Sequence, residues 1–234
     1  MRKTIVSLVV ASALGFGLAQ AKPLVIDNSH SRVGFQVTHL MISGVDGTFD
    51  TFSGTVDVEK GELKALDGTM KISSVNTQNQ KRDDHLKAPD FFDAAKYPDA
   101  TLKAVSIKED KKAEARMKRH HKHAEEEMHK MDMKEGMSKK DMADDQKSMD
   151  MMMKVPTKLY AIEADLTIKG VTKRVKFFGA LRGPVQDMKK NEVYSLKLMG
   201  KINRKDFGVG KDFGNSMVSD DVRINISIEG TPAK

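Results

Sequence analysis

Val222-Arg223-Ile224-Asn225-Ile226-Ser227-Ile228-Glu229 alternates a branched apolar side chain with a polar one along its whole length. A period of two puts the apolar set on one face of an extended chain and the polar set on the other, the pattern of a half-buried β-strand. The alternation recurs outward from this stretch. Tyr160, Ile162, Ala164, Leu166 and Ile168 interleave with polar or small residues, Tyr194, Leu196 and Leu198 share a face, and Arg174 to Phe177 starts another strand. Near the N-terminus, Val33, Phe35, Val37 and His39 share a face, and Thr55 to Glu59 and Gly68 to Ile72 alternate. With Leu102 to Ile107 this makes about eight short strands separated by Gly, Asp and Asn turns, which predicts an all-β sandwich or barrel.

One segment between the strands lacks the period. The run from Asn79 through Arg82-Asp83-Asp84-His85-Leu86 predicts a short helix that ends before Pro89, because the residue before a proline is disfavoured in helical geometry. A single helix closing one end of a barrel is the economical placement.

Composition narrows the chemistry. The 234 residues hold no Cys, which removes disulfides, thiolate metal centres and cysteine nucleophiles together. Met1-Arg2-Lys3, an apolar run from Ile5 to Leu18 and Ala19-Gln20-Ala21 read as a secretory signal peptide over residues 1–21, which makes the mature chain periplasmic. That apolar run is shorter than the roughly 20 residues a spanning helix needs. The formal charge of +7 comes without an aromatic-rich basic stripe, so it points to anionic surfaces or ligands and away from nucleic acid.

Residues 109–156 interrupt the strand texture and separate two barrel-like stretches, 22–108 and 157–234. From Glu109 to Lys154 there is no Phe, Tyr, Ile, Leu or Val, so the segment cannot build a core of its own and reads as a long helical or disordered insertion. Positions stepping by three and four from 117 to 152 carry Met117, Met128, Met131, Met142, Met149 and Met152, an amphipathic stripe suited to a membrane surface or partner protein. Imidazole and thioether also occur together, in His120, His121, His123, Met128, His129, Met131 and Met133. Soft thioethers select Cu(I) and imidazole suits copper, so this set is also a candidate copper or silver site.

Several motifs in the barrel-like stretches resemble the YceI-like family. They are His30-Ser31 through Phe35, His39-Leu40, Gly47-Thr48-Phe49, Phe52-Ser53-Gly54, Arg82 to Leu86, Asp90-Phe91-Phe92-Asp93 and Lys96-Tyr97-Pro98. Asp165 to Lys173, Asn203 to Gly208 and Val218 to Val222 continue the resemblance in the same order. It implies an eight-stranded antiparallel, lipocalin-like barrel with one short helix, holding a long-chain isoprenoid or fatty-acid-like lipid. It also allows a homodimer.

On that resemblance Phe35, Val37, Phe49, Phe52, Phe91, Phe92, Phe177 and Phe207 are expected to line the tunnel, with ordinary barrel core as the other reading of each. His39, Arg82, Asp83, His85, Arg204 and Asp206 are expected to form a polar rim for a head group, while Arg82 and Asp83 equally suit a structural pair fixing the helix. No nucleophile elbow, zinc-protease helix or phosphate-binding Gly-rich loop is present, and the barrel histidines His30, His39 and His85 are dispersed. The sequence thus favours a binding or carrier protein over an enzyme, with copper or silver handling by the insertion as the alternative.

Overall fold

A computed structural model describes residues 22–117, 119 and 154–233. The strands are β1 (Lys22–Ile26), β2 (Arg32–His39), β3 (Ser43–Phe49), β4 (Phe52–Glu59), β5 (Glu62–Lys71), β6 (Val75–Asn76), β7 (Asp99–Glu109), β8 (Thr157–Ile168), β9 (Val171–Gln186), β10 (Glu192–Asn203) and β11 (Asp221–Pro232). One helix, α1 (Gln80–Leu86), lies between β6 and β7. The expected signal segment 1–21 and the insertion residues His120, His121, His123, Met128, His129, Met131 and Met133 lie outside the described residues.

The strands form a closed, eight-stranded antiparallel barrel. β11 pairs with β2 through Arg223↔Gln36 to Ser227↔Arg32, and with β1 through Gly230↔Ile26 to Pro232↔Leu24. β1 and β2 therefore run in the same direction along one neighbour and are two halves of one long strand, broken at residues 27–31. β3 and β4 are likewise halves of the next strand, broken at Asp50-Thr51, since β3 pairs with β2 and β4 with β1. From there the order β4-β5-β7-β8-β9-β10-β11 closes the ring on β1.

β3 was not among the strands expected from sequence, because Gly44, Asp46 and Gly47 leave it without an alternating apolar face. Gly47 sits opposite Phe35 in the register, and a Cβ there would come within 2.2 Å of the Phe35 ring. The glycine makes room for an aromatic ring laid across the neighbouring strand. Gly200 does the same for Phe177, where a Cβ would lie 2.6 Å from ring atoms.

The short helix begins one residue after Asn79, whose side chain caps it by accepting from the Arg82 backbone N–H at 3.1 Å. Residues 111–117, at the start of the segment expected to be helical or disordered, are also helical. Asp110 starts that turn, its Oδ1 accepting from the Ala113 N–H at 2.9 Å, and Glu114 ties back to the Leu159 N–H of β8. No helix among the described residues is long and apolar enough to cross a membrane.

The barrel is filled at one end and hollow at the other. At the end bearing the Lys60-Gly61 turn, Leu24, Leu63, Tyr160, Leu181 and Tyr194 are buried in a plug, beside which a polar cleft of about 320 Å³ opens along Leu63, Ala104 and Tyr160. β5 and β7 pair only from Asp67↔Lys103 to Lys71↔Asp99, so they part as they run into this plug. β8 staples the split: the Tyr160 hydroxyl accepts from the Leu63 N–H at 3.1 Å, and Lys158 Nζ donates to Glu62 Oε1 at 2.9 Å. Lys64 and Lys158 together hold the Glu62 carboxyl down to about 2.

Candidate functional site

The hollow end contains a cavity of about 380 Å³, within the roughly 300–1,000 Å³ typical of small-molecule sites. β11 supplies one wall through Val222, Ile224, Ile226 and Ile228, the apolar face of the stretch with which the sequence reading began. Phe177, Leu198 and Leu166 form the floor, and α1 with its flanking loops forms the far rim.

The aromatic residues named from sequence converge here. Phe35, Phe49, Phe52, Phe91, Phe92, Phe177 and Phe207 all line the cavity, as does Val37. Phe49 stands between Phe35 and Phe92, with ring centroids 5.6 and 5.8 Å away. Sequence reasoning passed over Phe213, whose ring lies 4.9 Å from Phe91 and 5.7 Å from His85. It sits in the loop before β11, where no period marks a facing direction, and its signal was only its closeness to the Asn203 to Gly208 motif. Val33, Met70, Leu86, Ile224 and Ile226 were also missed as lining residues, although the strand alternation already placed four of them on inward faces.

The polar residues divide sharply. Arg204 has a side chain only 4% exposed, and every N–H of its guanidinium is spent on the protein. Its Nε donates to Ser219 O at 3.1 Å, Nη1 to the carbonyls of Val209 and Gly210, and Nη2 to Phe213 O at 2.7 Å, Val218 O at 3.0 Å and Asp220 Oδ1 at 2.9 Å. Burial lowers the pKa of this arginine, partly offset by Asp220. It borders the cavity yet has no donor left for a head group, and its work is to knot the 209–220 loop. Asp206 is exposed and does not line the cavity.

Arg82 and Asp83 meet at buried Thr77. Asp83 Oδ1 accepts from the Thr77 N–H at 2.9 Å and from its hydroxyl at 2.6 Å, while Arg82 Nε donates to that hydroxyl and Nη2 to the Thr77 carbonyl, both at 2.7 Å. Asp83 is buried behind the wall and does not line the cavity. Arg82 does, and its Nη1 carries no hydrogen bond among the described residues. His85 and His39 also border the cavity, whereas His30 does not. His85 Nε2 lies 2.7 Å from Asp90 Oδ2, and this hydrogen bond lowers the Asp90 pKa. His30 Nδ1 lies 2.9 Å from Asp27 at the corner between β1 and β2.

The lining is mostly apolar, with polar side chains at Arg82 and His85 beside α1 and at His39 on the β2–β3 turn. A model of the YceI-like domain matches residues 24–230. The chain belongs to the YceI-like family. It is 30% identical to Protein YceI of Escherichia coli over 239 residues, covering all of both chains. The crystal structure of the Campylobacter jejuni YCEI protein superposes with a TM-score of 0.59 at 29% identity, over 89% of this chain and 96% of that one. A polyisoprenoid binding domain from Saccharophagus degradans, implicated in plant cell wall breakdown, shares the fold at a TM-score of 0.57 and 15% identity, over 92% of this chain and all of that one.

Proposed function

We propose that this YceI-like barrel sequesters one long-chain isoprenoid or fatty-acid-like lipid in its cavity and carries it through the periplasm, after export directed by residues 1–21. The observation that carries the reading is a cavity walled almost wholly by apolar side chains, closed by packing at one end and bordered by polar groups at the other. Each methylene moved out of water contributes about 0.8 kcal/mol, so a long chain needs few polar contacts to be held. The polyisoprenoid binding domain of the same fold supports the choice of cargo.

Retention is by burial, with no bond made or broken. The apolar tail lies against Phe177, Leu198, Ile224 and Ile226, and the head group rests at the α1 end. There Arg82 Nη1 is the donor suited to a phosphate or hydroxyl, since a guanidinium pairs with phosphate oxygens in a fork. His85 and His39 complete the polar rim. Native mass spectrometry of the protein purified from its own host, followed by organic extraction and lipid identification, tests the proposal. One long-chain isoprenoid or fatty-acid derivative per chain is the expected result. Protein that is consistently empty, or that carries a water-soluble ligand, overturns it.

A further inference from the structure

The β2–β3 turn presents Leu40, Met41 and Ile42 to solvent at 52%, 71% and 84% exposure. No other three consecutive large apolar residues are exposed among the described residues. Met217, 51% exposed, joins them, its carbonyl accepting from the Leu40 N–H at 3.0 Å. A cluster of this kind on an otherwise polar surface marks a place of contact.

The backbone is bent to present these side chains. Leu40 and Met41 have φ of 49° and 61°, and the Ile42 N–H closes the turn on the His39 carbonyl at 3.1 Å. Two successive positive φ values are the geometry of a type I′ turn, in which Asn-Gly is the favoured pair because side chains with Cβ are strained there. Elsewhere this protein obeys that preference: the Lys60-Gly61 and Lys169-Gly170 turns both put glycine second. At the tip it places Leu-Met instead, a strained placement of large apolar groups that remain 52% and 71% exposed.

Two further observations identify the occupant. Residues 37–45 and 213–219 contain no Asp, Glu, Lys or Arg, in a chain that is 31% charged, so the tip can leave water without burying a charge. The tip also adjoins the cavity: Val37, Val45, Met217 and Val218, which flank it, all line the cavity and put apolar side chains between the exposed turn and the interior, beside the polar His39. We infer that Leu40, Met41, Ile42 and Met217 dock on a lipid bilayer surface, dipping into its interface so that cargo passes between membrane and barrel without crossing water. This rests on the lipid-carrier reading, because a long apolar cargo has a bilayer as its reservoir.

The test is flotation of the purified protein with neutral phosphatidylcholine vesicles at 0.5 M salt, which suppresses charge attraction. Parent protein and a Leu40→Asn/Met41→Gly variant are compared in the same purified form, their N-termini read by mass spectrometry. The substitution suits the turn, so the variant is expected to melt at the same or a higher temperature while its vesicle partitioning falls at least tenfold. Ile42→Asp is expected to show the same loss, with size-exclusion elution unchanged. Equal partitioning of parent and variants overturns the inference, as does a parent dimer that the variants dissociate, which would make the tip an interface between copies. Extraction of bound lipid from the same samples separates the two readings: lipid retained without vesicle binding sinks only the docking surface, and vesicle binding by a barrel that never holds lipid sinks the carrier reading.

Discussion

Arg204 and Arg82 border the same cavity but differ in what they have left to give. Arg204 serves backbone carbonyls of the 209–220 loop and the Asp220 carboxylate, all from inside the protein. Arg204→Met leaves the loop carbonyls without their donor, while Asp220 keeps Lys205 Nζ at 3.2 Å, and removing one partner of a buried pair costs about 3–5 kcal/mol. Chemical denaturation should show a loss of that order, and a change under about 1 kcal/mol would refute the structural role. Arg82→Gln keeps a donor for Thr77 but removes the cation. It should weaken retention of an isoprenoid phosphate more than of the matching alcohol, measured by competitive loading. Equal weakening of both would mean that Arg82 acts only through Thr77. Asp90 supplies the pH dependence at this rim. Its folded pKa lies below the ordinary 3.8 because His85 hydrogen-bonds the carboxylate, so the contact contributes above 3.8 and is lost as pH falls through the lowered value. A carboxyl NMR titration should place Asp90 below 3.8, and His85→Ala should raise it.

At the scale of the elements, the strands that the sequence made legible are those whose inward faces are uniformly apolar. β11, β8 and β10 announce themselves by strict alternation, and α1 by its Asn79 cap and Pro89 stop. β3 did not, because its inward Gly47 has no side chain and is there to accept the ring of Phe35. Nor could alternation show that β1–β2 and β3–β4 are bent halves of single strands, since a bend at residues 27–31 or 50–51 looks like any polar turn. The same limit applies to the cavity. Periodicity says which side chains point inward, but whether they meet in a plug, as Leu63, Tyr160 and Tyr194 do, or stand apart around a void depends on the whole ring. Gly47 offers a direct test of the hollow end. In Gly47→Ala the new Cβ would clash with the Phe35 ring, which can relieve the contact only by lifting away from the strand into the cavity. Bound lipid should drop severalfold at a stability cost of about 1–3 kcal/mol, the range for an overpacked site. Undiminished lipid content in the folded variant would show that the space beside Phe35 is not used by cargo.

For the whole molecule, the question is whether the Met- and His-rich insertion and the barrel are one device or two. The chain leaves the barrel at Glu109 and re-enters at Thr157, and Glu109 pairs with Tyr160 in the β7–β8 ladder. The two ends of the insertion are thus neighbours across a pair of antiparallel strands, and a short turn can join them without disturbing either one. The helical stretch 111–117 does make contact with the barrel, through buried Ala113 and the bond from Leu159 to Glu114, so the cleanest deletion removes only residues 118–153. If the barrel alone is the lipid site, the deleted protein should melt within a few degrees of the parent and retain the same lipid at the same stoichiometry. If the insertion handles copper or silver, as its thioethers and imidazoles suggest, Cu(I) titration should find sites in the parent that vanish on deletion. Loss of lipid together with the insertion would join the two functions in one device, and unchanged Cu(I) uptake after deletion would remove the metal role from this segment.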